Sequence, residues 1–120
     1  MNQNPRYNCA LDATMSVIEG RWKSTIICML CQHGSMRFNE LLNSIGAVSS
    51  RMLSKQLKEL EKDGIVSREV DDRGGLKVSY SLTQRGMSLI PVLEKMAAWG
   101  LENQFNRFVE IETGEPVTGV

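Results

Sequence analysis

Residues Val48–Tyr80, VSSRMLSKQLKELEKDGIVSREVDDRGGLKVSY, decide how this chain folds. At about 100° per residue, Met52, Leu53, Leu57 and Leu60 share one arc of a helix over Ser49 to Asp63, and Ser50, Arg51, Ser54, Lys55 and Lys58 share the opposite arc. One face is core; the other is polar, basic and reachable. Gly64 stops the helix, Ile65 to Val70 and Leu76 to Leu82 read as strands, and Asp71-Asp72-Arg73-Gly74-Gly75 between them supplies the turn. A helix with a basic side followed by a hairpin with arginine at its tip is how a winged helix addresses duplex DNA.

Working outward, Phe38, Leu41, Leu42 and Ile45 mark the buried stripe of a preceding helix. Gly46-Ala47-Val48 then makes the tight turn that completes a helix-turn-helix. Ser35 to Arg37 reads as a short extended connection. Further back, Arg21 to Gln32 is a helix carrying Trp22, Ile26, Ile27, Met29 and Leu30, closed by His33-Gly34; Leu11 to Glu19 is a shorter one, with Asp12 near its dipole-favoured start. Downstream, Val78, Tyr80 and Leu82 alternate with Lys77, Ser79 and Ser81, the period of a strand with one wet face. Thr83 stands as N-cap to a helix from Gln84 to about Phe108, which Pro91 kinks or splits. Its apolar residues, Trp99, Phe105 and Phe108 among them, exceed what so small a core uses, and mark a dimer interface. The expected fold class is α+β, mostly α: a winged helix-turn-helix with N-terminal and C-terminal dimerisation helices. The expected organisation is a flexible N-terminus over residues 1–8, one domain over 9–108 and an acidic flexible tail over 109–120.

A chain of 120 residues holds one domain with a real core, without disulfides or a metal. The net charge is zero, yet its distribution is uneven. Ser35 to Leu60 has four basic residues against two acidic, and Arg73 to Arg85 has three basic residues and no acid. Glu61 to Asp72 and the stretch from Gly86 onward each have two basic residues against five acidic. Local patches set the field that a phosphate backbone feels at close range. Met1 to Asn8 lacks the apolar core of a signal peptide, and the longest apolar run, Ile26 to Cys31, is far too short for a bilayer, so a cytoplasmic protein with no membrane partner is expected. Three cysteines, an odd number, read there as free thiols.

Several blocks resemble the HxlR-type winged-helix transcriptional regulators of bacteria and archaea, distant relatives of the MarR regulators. They are a Cys near the start, Glu19-Gly20-Arg21-Trp22 in place of the family's Gly-Gly-Lys-Trp, Met36-Arg37-Phe38-Asn39-Glu40-Leu41, the run Ser50 to Arg68, and Val78-Ser79-Tyr80-Ser81-Leu82-Thr83-Gln84-Arg85-Gly86. In this order and spacing, over Cys9 to about Trp99, they are specific. The resemblance implies a homodimer that binds a pseudo-palindromic operator in double-stranded DNA. The chain departs from the pattern at Ala10, where the family has Pro after the Cys, and at Gly74-Gly75, where a Pro pair is common.

Side-chain chemistry divides the candidate DNA-contacting residues. Ser49 opens the recognition helix; Ser50, Arg51 and Ser54 in its first turns are the base readers, Arg51 suiting guanine O6 and N7. Lys55 and Lys58 meet phosphate, with Arg37, Asn39 and Lys23 as weaker phosphate candidates. Arg73 is placed to enter a narrow minor groove, although Asp71 and Asp72 oppose it, and Lys77 is a backbone contact. The rival reading is a winged helix that only binds protein, its basic face serving solubility.

Cys9 has two readings: a small apolar packing residue, or a reactive thiol just ahead of a helix start with Arg6 close in sequence. In some family members the Cys at this place senses quinones, aldehydes or other oxidants, so the resemblance adds weight to the second reading, a redox sensor answering small electrophiles or oxidants, and leaves both open. Some family sensors bridge subunits through a second Cys in the terminal helix, but no Cys follows Cys31 here. Cys28 and Cys31 form a Cys-x-x-Cys pair late in an apolar helix, where the dipole opposes a thiolate, so core packing is the expectation. Cys9, Cys28, Cys31 and His33 count four nominal zinc ligands, but Cys31 and His33 diverge on a helix, and no metal or cofactor is expected. Trp22, Trp99 and the seven Met residues fit ordinary packing, with a small-ligand pocket at the dimer junction as the alternative. Neither a catalytic residue nor an enzyme activity is indicated: His33 lacks a Ser or Asp context, and there is no carboxylate pair or phosphate loop. The expected function is a transcription factor, a repressor by preference.

Overall fold

The computed structural model describes residues 9–75 and 77–104. The chain runs through α1 (Ala10–Ile18), α2 (Lys23–His33), β1 (Met36–Arg37), α3 (Phe38–Ile45), α4 (Ser50–Lys62), β2 (Val66–Asp71), β3 (Lys77–Leu82), α5 (Gln84–Met87) and α6 (Ile90–Asn103). The strands form an antiparallel sheet in the order β1-β3-β2. Val66 pairs with Leu82 and the ladder continues to Asp71 opposite Lys77, while Met36 pairs with Tyr80 on the other edge of β3. The extended connection before α3 thus becomes a third strand that ties the helix-turn-helix to the wing.

Ile26, Ile27 and Leu30 of α2 are fully buried with Leu41 of α3, Leu53, Leu57 and Leu60 of α4, and Ile65 and Val66 at the root of the hairpin. Each such side chain stabilises the fold by about 1.5–3 kcal/mol relative to exposure. Local hydrogen bonds fix where the elements begin. Ser49 Oγ accepts the Met52 N–H at 3.1 Å, capping α4, and Glu40 Oε1 accepts the Arg37 N–H at 2.8 Å, closing the first turn of α3. At the hairpin root Thr83 caps α5 by accepting the Gly86 N–H at 2.9 Å and donates its own hydroxyl to the Gly64 carbonyl at 2.6 Å. There α5 lies so close to β2 that a Cβ on Gly86 would run into the Ile65 carbonyl oxygen.

The structure corrects the apolar arc of α4. Met52 is 37% exposed, whereas Gln56, one turn on, is buried. Met52 lies at the rim of the arc, about 100° from the fully buried Leu53. Gln56 is covered because the bend between α1 and α2 packs over it. The alternation in β3 also fails to give one wet face: Ser79 and Ser81 are half-buried like their neighbours, since β3 is the central strand. Downstream, Pro91 splits rather than kinks the helix, standing in the first turn of α6, where a missing N–H costs nothing. The helix start expected at Arg21 shifts to Lys23. The termini at 1–8 and 109–120, Arg6, Leu76, Phe105 and Phe108 lie outside the described residues. Among the described residues no helix is long and apolar enough to cross a membrane.

Candidate nucleic-acid interface

The buried leucines of α4 fix the direction in which its other face points. Ser50, Arg51, Lys55 and Lys58 are exposed, Ser54 is half-buried, and the Ser49 cap stands exposed at the entry of the helix. With 13 residues α4 is about 20 Å long, enough to lie across a major groove of about 12 Å. Lys55 Nζ stands 4.0 Å from Glu59 Oε2, a loose i,i+4 contact, while Lys58 has no ion pair among the described residues.

Arg37 and Asn39 are exposed where β1 passes into α3, so both keep their place among the candidates. Lys23 does not. It is 5% exposed, and its Nζ lies 2.9 Å from Glu59 Oε1. The sequence pattern showed a cation near a helix start, but not that the α1–α2 bend folds it inward against α4, away from solvent. The Lys23 hydrogen bond is the main reason that the Glu59 carboxyl is held below the usual glutamate range, with Lys23, Lys55 and Lys62 adding through their charge.

In the wing, Arg73 stands at the tip with its side chain 90% exposed. Its backbone N–H donates to Asp71 Oδ1 at 3.0 Å and its Nε to the same oxygen at 3.3 Å. These two bonds, the backbone one first, lower the Asp71 pKa. Of the two flanking acids, Asp71 thus turns toward the arginine and offsets part of its charge. Lys77 is exposed opposite Asp71 in the ladder. One cation escaped the sequence reading. Arg68, paired with Tyr80, is exposed and lines the cleft between α4 and the wing together with Ser54, Lys58 and Glu61. Its signal was the period of two from buried Val66, which sets Arg68 on the same side of β2.

Cys9 is the N-cap residue of α1, extended and exposed. Cys28 and Cys31 are half-buried and pack on the core. Burial pushes the Cys28 thiol pKa up, and the charges of Cys31 and Glu94 push the same way, which suits a neutral packing thiol. On α6, Val92, Met96 and Trp99 are exposed at i, i+4 and i+7, with Trp99 60% exposed; Leu11 of α1 is exposed too.

The model of the HxlR-like helix-turn-helix family matches residues 17–112. The chain belongs to that family. Among the relatives of this HxlR-like protein is an HTH-type transcriptional regulator of Halalkalibacterium halodurans, 45% identical over 93 residues, 78% of this chain and 82% of the relative. The solved structure of the redox regulator HypR in its reduced form superimposes with a TM-score of 0.74 at 41% identity, covering 80% of this chain and 94% of HypR. Reduced YodB, a transcriptional regulator of Bacillus subtilis, gives a TM-score of 0.73 at 34% identity, covering 91% of this chain and all of YodB. HypR is also known in an oxidised form, and YodB in diamide-treated and quinone-bound forms. The HxlR-like protein is a transcriptional regulator with a winged-helix fold, and the relatives that place it are regulators rather than enzymes.

Proposed function

We propose that this HxlR-like regulator is a homodimeric, sequence-specific DNA-binding protein acting as a repressor, with α4 of each subunit in successive major grooves of a pseudo-palindromic operator. The observation that carries the reading is α4 itself: its leucines are buried while Arg51, Lys55 and Lys58 are exposed on the opposite face. Ser50, Arg51 and Ser54 read bases; Lys55, Lys58, Arg37 and Asn39 hold phosphate; Arg73 and Lys77 follow the flanking backbone or minor groove, and Arg68 joins them at the foot of the wing. The exposed Val92, Met96 and Trp99 face of α6, with Leu11, supports the dimer, and half-sites then lie about 34–36 Å apart.

Salt titration of duplex binding tests this. Affinity falls linearly in log salt, and Lys58→Ala lowers the slope by about one unit per subunit. Undetectable affinity for every duplex at low salt sinks the proposal in favour of a protein-interaction module.

A thiol switch at Cys9 accompanies this reading, supported by its exposure ahead of α1 and by the redox and quinone-bound forms of HypR and YodB. Quinone treatment then adds mass at Cys9 and releases DNA, while Cys9→Ser stays bound. Release of Cys9→Ser with the same dose response removes Cys9 from the switch.

A further inference from the structure

We propose that the bend between α1 and α2 is a positioning device for the recognition helix: Lys23 and the Trp22 backbone grip Glu59 and Gln56 on the flank of α4 and set the angle at which Arg51 meets a base. This rests on the reading of α4 as the DNA-contacting helix. The grip has two points. Lys23 Nζ meets Glu59 Oε1 at 2.9 Å with the ammonium buried, and the Trp22 N–H donates to Gln56 Oε1 at 3.4 Å with the Gln56 side chain buried.

A buried ammonium without its anion is costly, so Lys23 holds Glu59 wherever α2 holds Lys23. Gln56 is held by shape as well. Gly20 has φ +134°, and a Cβ there would lie 2.9 Å from Gln56 Oε1 and 3.3 Å from Lys23 Cδ. The bare backbone of Gly20 is therefore the floor on which the Lys23 and Gln56 side chains rest.

Gln56 and Glu59 are three residues apart, on neighbouring turns of one flank. Holding both restrains rotation of α4 about its axis as well as sliding along it. A rotation of about 15° moves a side chain by roughly 1.5 Å at the roughly 5–6 Å outer radius of a helix. That exceeds the ~0.5 Å tolerance of a precise contact. A bidentate Arg–guanine contact is lost under such a shift, whereas phosphate contacts by flexible lysines adapt. Loosening the grip therefore lowers specific binding and spares non-specific binding. A lost phosphate contact lowers both.

The experiment uses a duplex selected by the wild-type protein from a random pool and a scrambled duplex of the same composition, with folding of each variant checked by circular dichroism. Lys23→Met removes the buried cation, Glu59→Gln breaks the ion pair and leaves the Lys23 ammonium without its anion, and Gly20→Ala displaces Gln56 with every charge unchanged. Each variant is expected to reduce the ratio of specific to non-specific affinity about tenfold, equivalent to about 1.4 kcal/mol. Gly20→Ala keeps the salt slope of the wild type, and Lys23→Met/Glu59→Gln is no worse than Lys23→Met alone. A ratio unchanged within twofold in folded Gly20→Ala and Glu59→Gln overturns the proposal, as does an equal loss on both duplexes. Failure of the wild type to select any duplex defeats the DNA reading, and the positioning role falls with it.

Discussion

Helix α4 and the wing differ in charge and in how they are held: α4 has four basic residues against two acidic, whereas residues 66–82 have three of each. Helix α4 is capped by Ser49, pinned through Leu53, Leu57 and Leu60, and gripped on its flank at Gln56 and Glu59. The wing is held by its ladder from Val66 to Asp71 and, near its root, by the pairing of β3 with β1; beyond the last pair, Arg73 is bound among the described residues only to Asp71 of the same turn. Gly74 and Gly75, both at positive φ with open space around them, complete the tip. On the proposed DNA reading, contacts that need ångström geometry are therefore expected from α4, and adaptable charge from the wing.

The two regions share one root, and the largest effect comes from breaking it. Gly86→Ala drives a Cβ into the Ile65 carbonyl, which already accepts the Thr83 N–H at 3.0 Å. The backbone there has no room to yield, so the cost is about 3 kcal/mol or more, read as a fall in Tm of roughly 10–15 °C. A loss below about 1 kcal/mol would show the root to be looser than drawn.

Next comes Arg51→Ala, expected to weaken selected-duplex binding about 10- to 100-fold and to relax preference at one base pair per half-site. A uniform loss across all sequences would make Arg51 a phosphate contact and erase the contrast with the wing. Arg73→Ala is expected to cost about threefold or less, because its charge is already shared with Asp71. Asp71→Asn moves the other way, strengthening binding by about twofold as the arginine is released.

Much of this contrast was legible in the sequence, for reasons that differ by element. The leucine spacing of α4, the glycine after it and the alternating strands are local signals, and local signals placed the helix-turn-helix and the hairpin. What escaped depends on tertiary packing. Lys23 looked like a surface cation because nothing in its neighbourhood shows that the Gly20 bend folds it onto Glu59, 36 positions away. Met52 and Gln56 exchanged burial because hydropathy ranks a methionine above a glutamine, while the bend covers one and leaves the other at the rim. Arg68 was hidden by the acidic residues around it in sequence, and only the sheet shows it standing beside Tyr80 at the cleft.

The smallest effect concerns pH. The lowered pKa of Glu59 means that its ion pair contributes stability above the unfolded glutamate value of about 4.3 and loses it as pH falls through the folded value. Glu59→Gln should therefore flatten the acid side of the stability profile below about pH 5 and leave the neutral region sloping as before. A change in slope near neutral pH would assign the effect to another group. Since Glu59 is 41% exposed, solvent screening keeps the change modest.

Interference by guanine N7 methylation on the selected duplex tests the central claim most directly, because N7 lies in the major groove. Two clusters of interfering guanines, centred one helical turn of about 10–10.5 base pairs apart, are expected, with one guanine in each cluster losing its effect in Arg51→Ala. Binding that tolerates methylation at every guanine, or interference at a single cluster that Arg51→Ala leaves intact, would contradict a dimer reading DNA through α4.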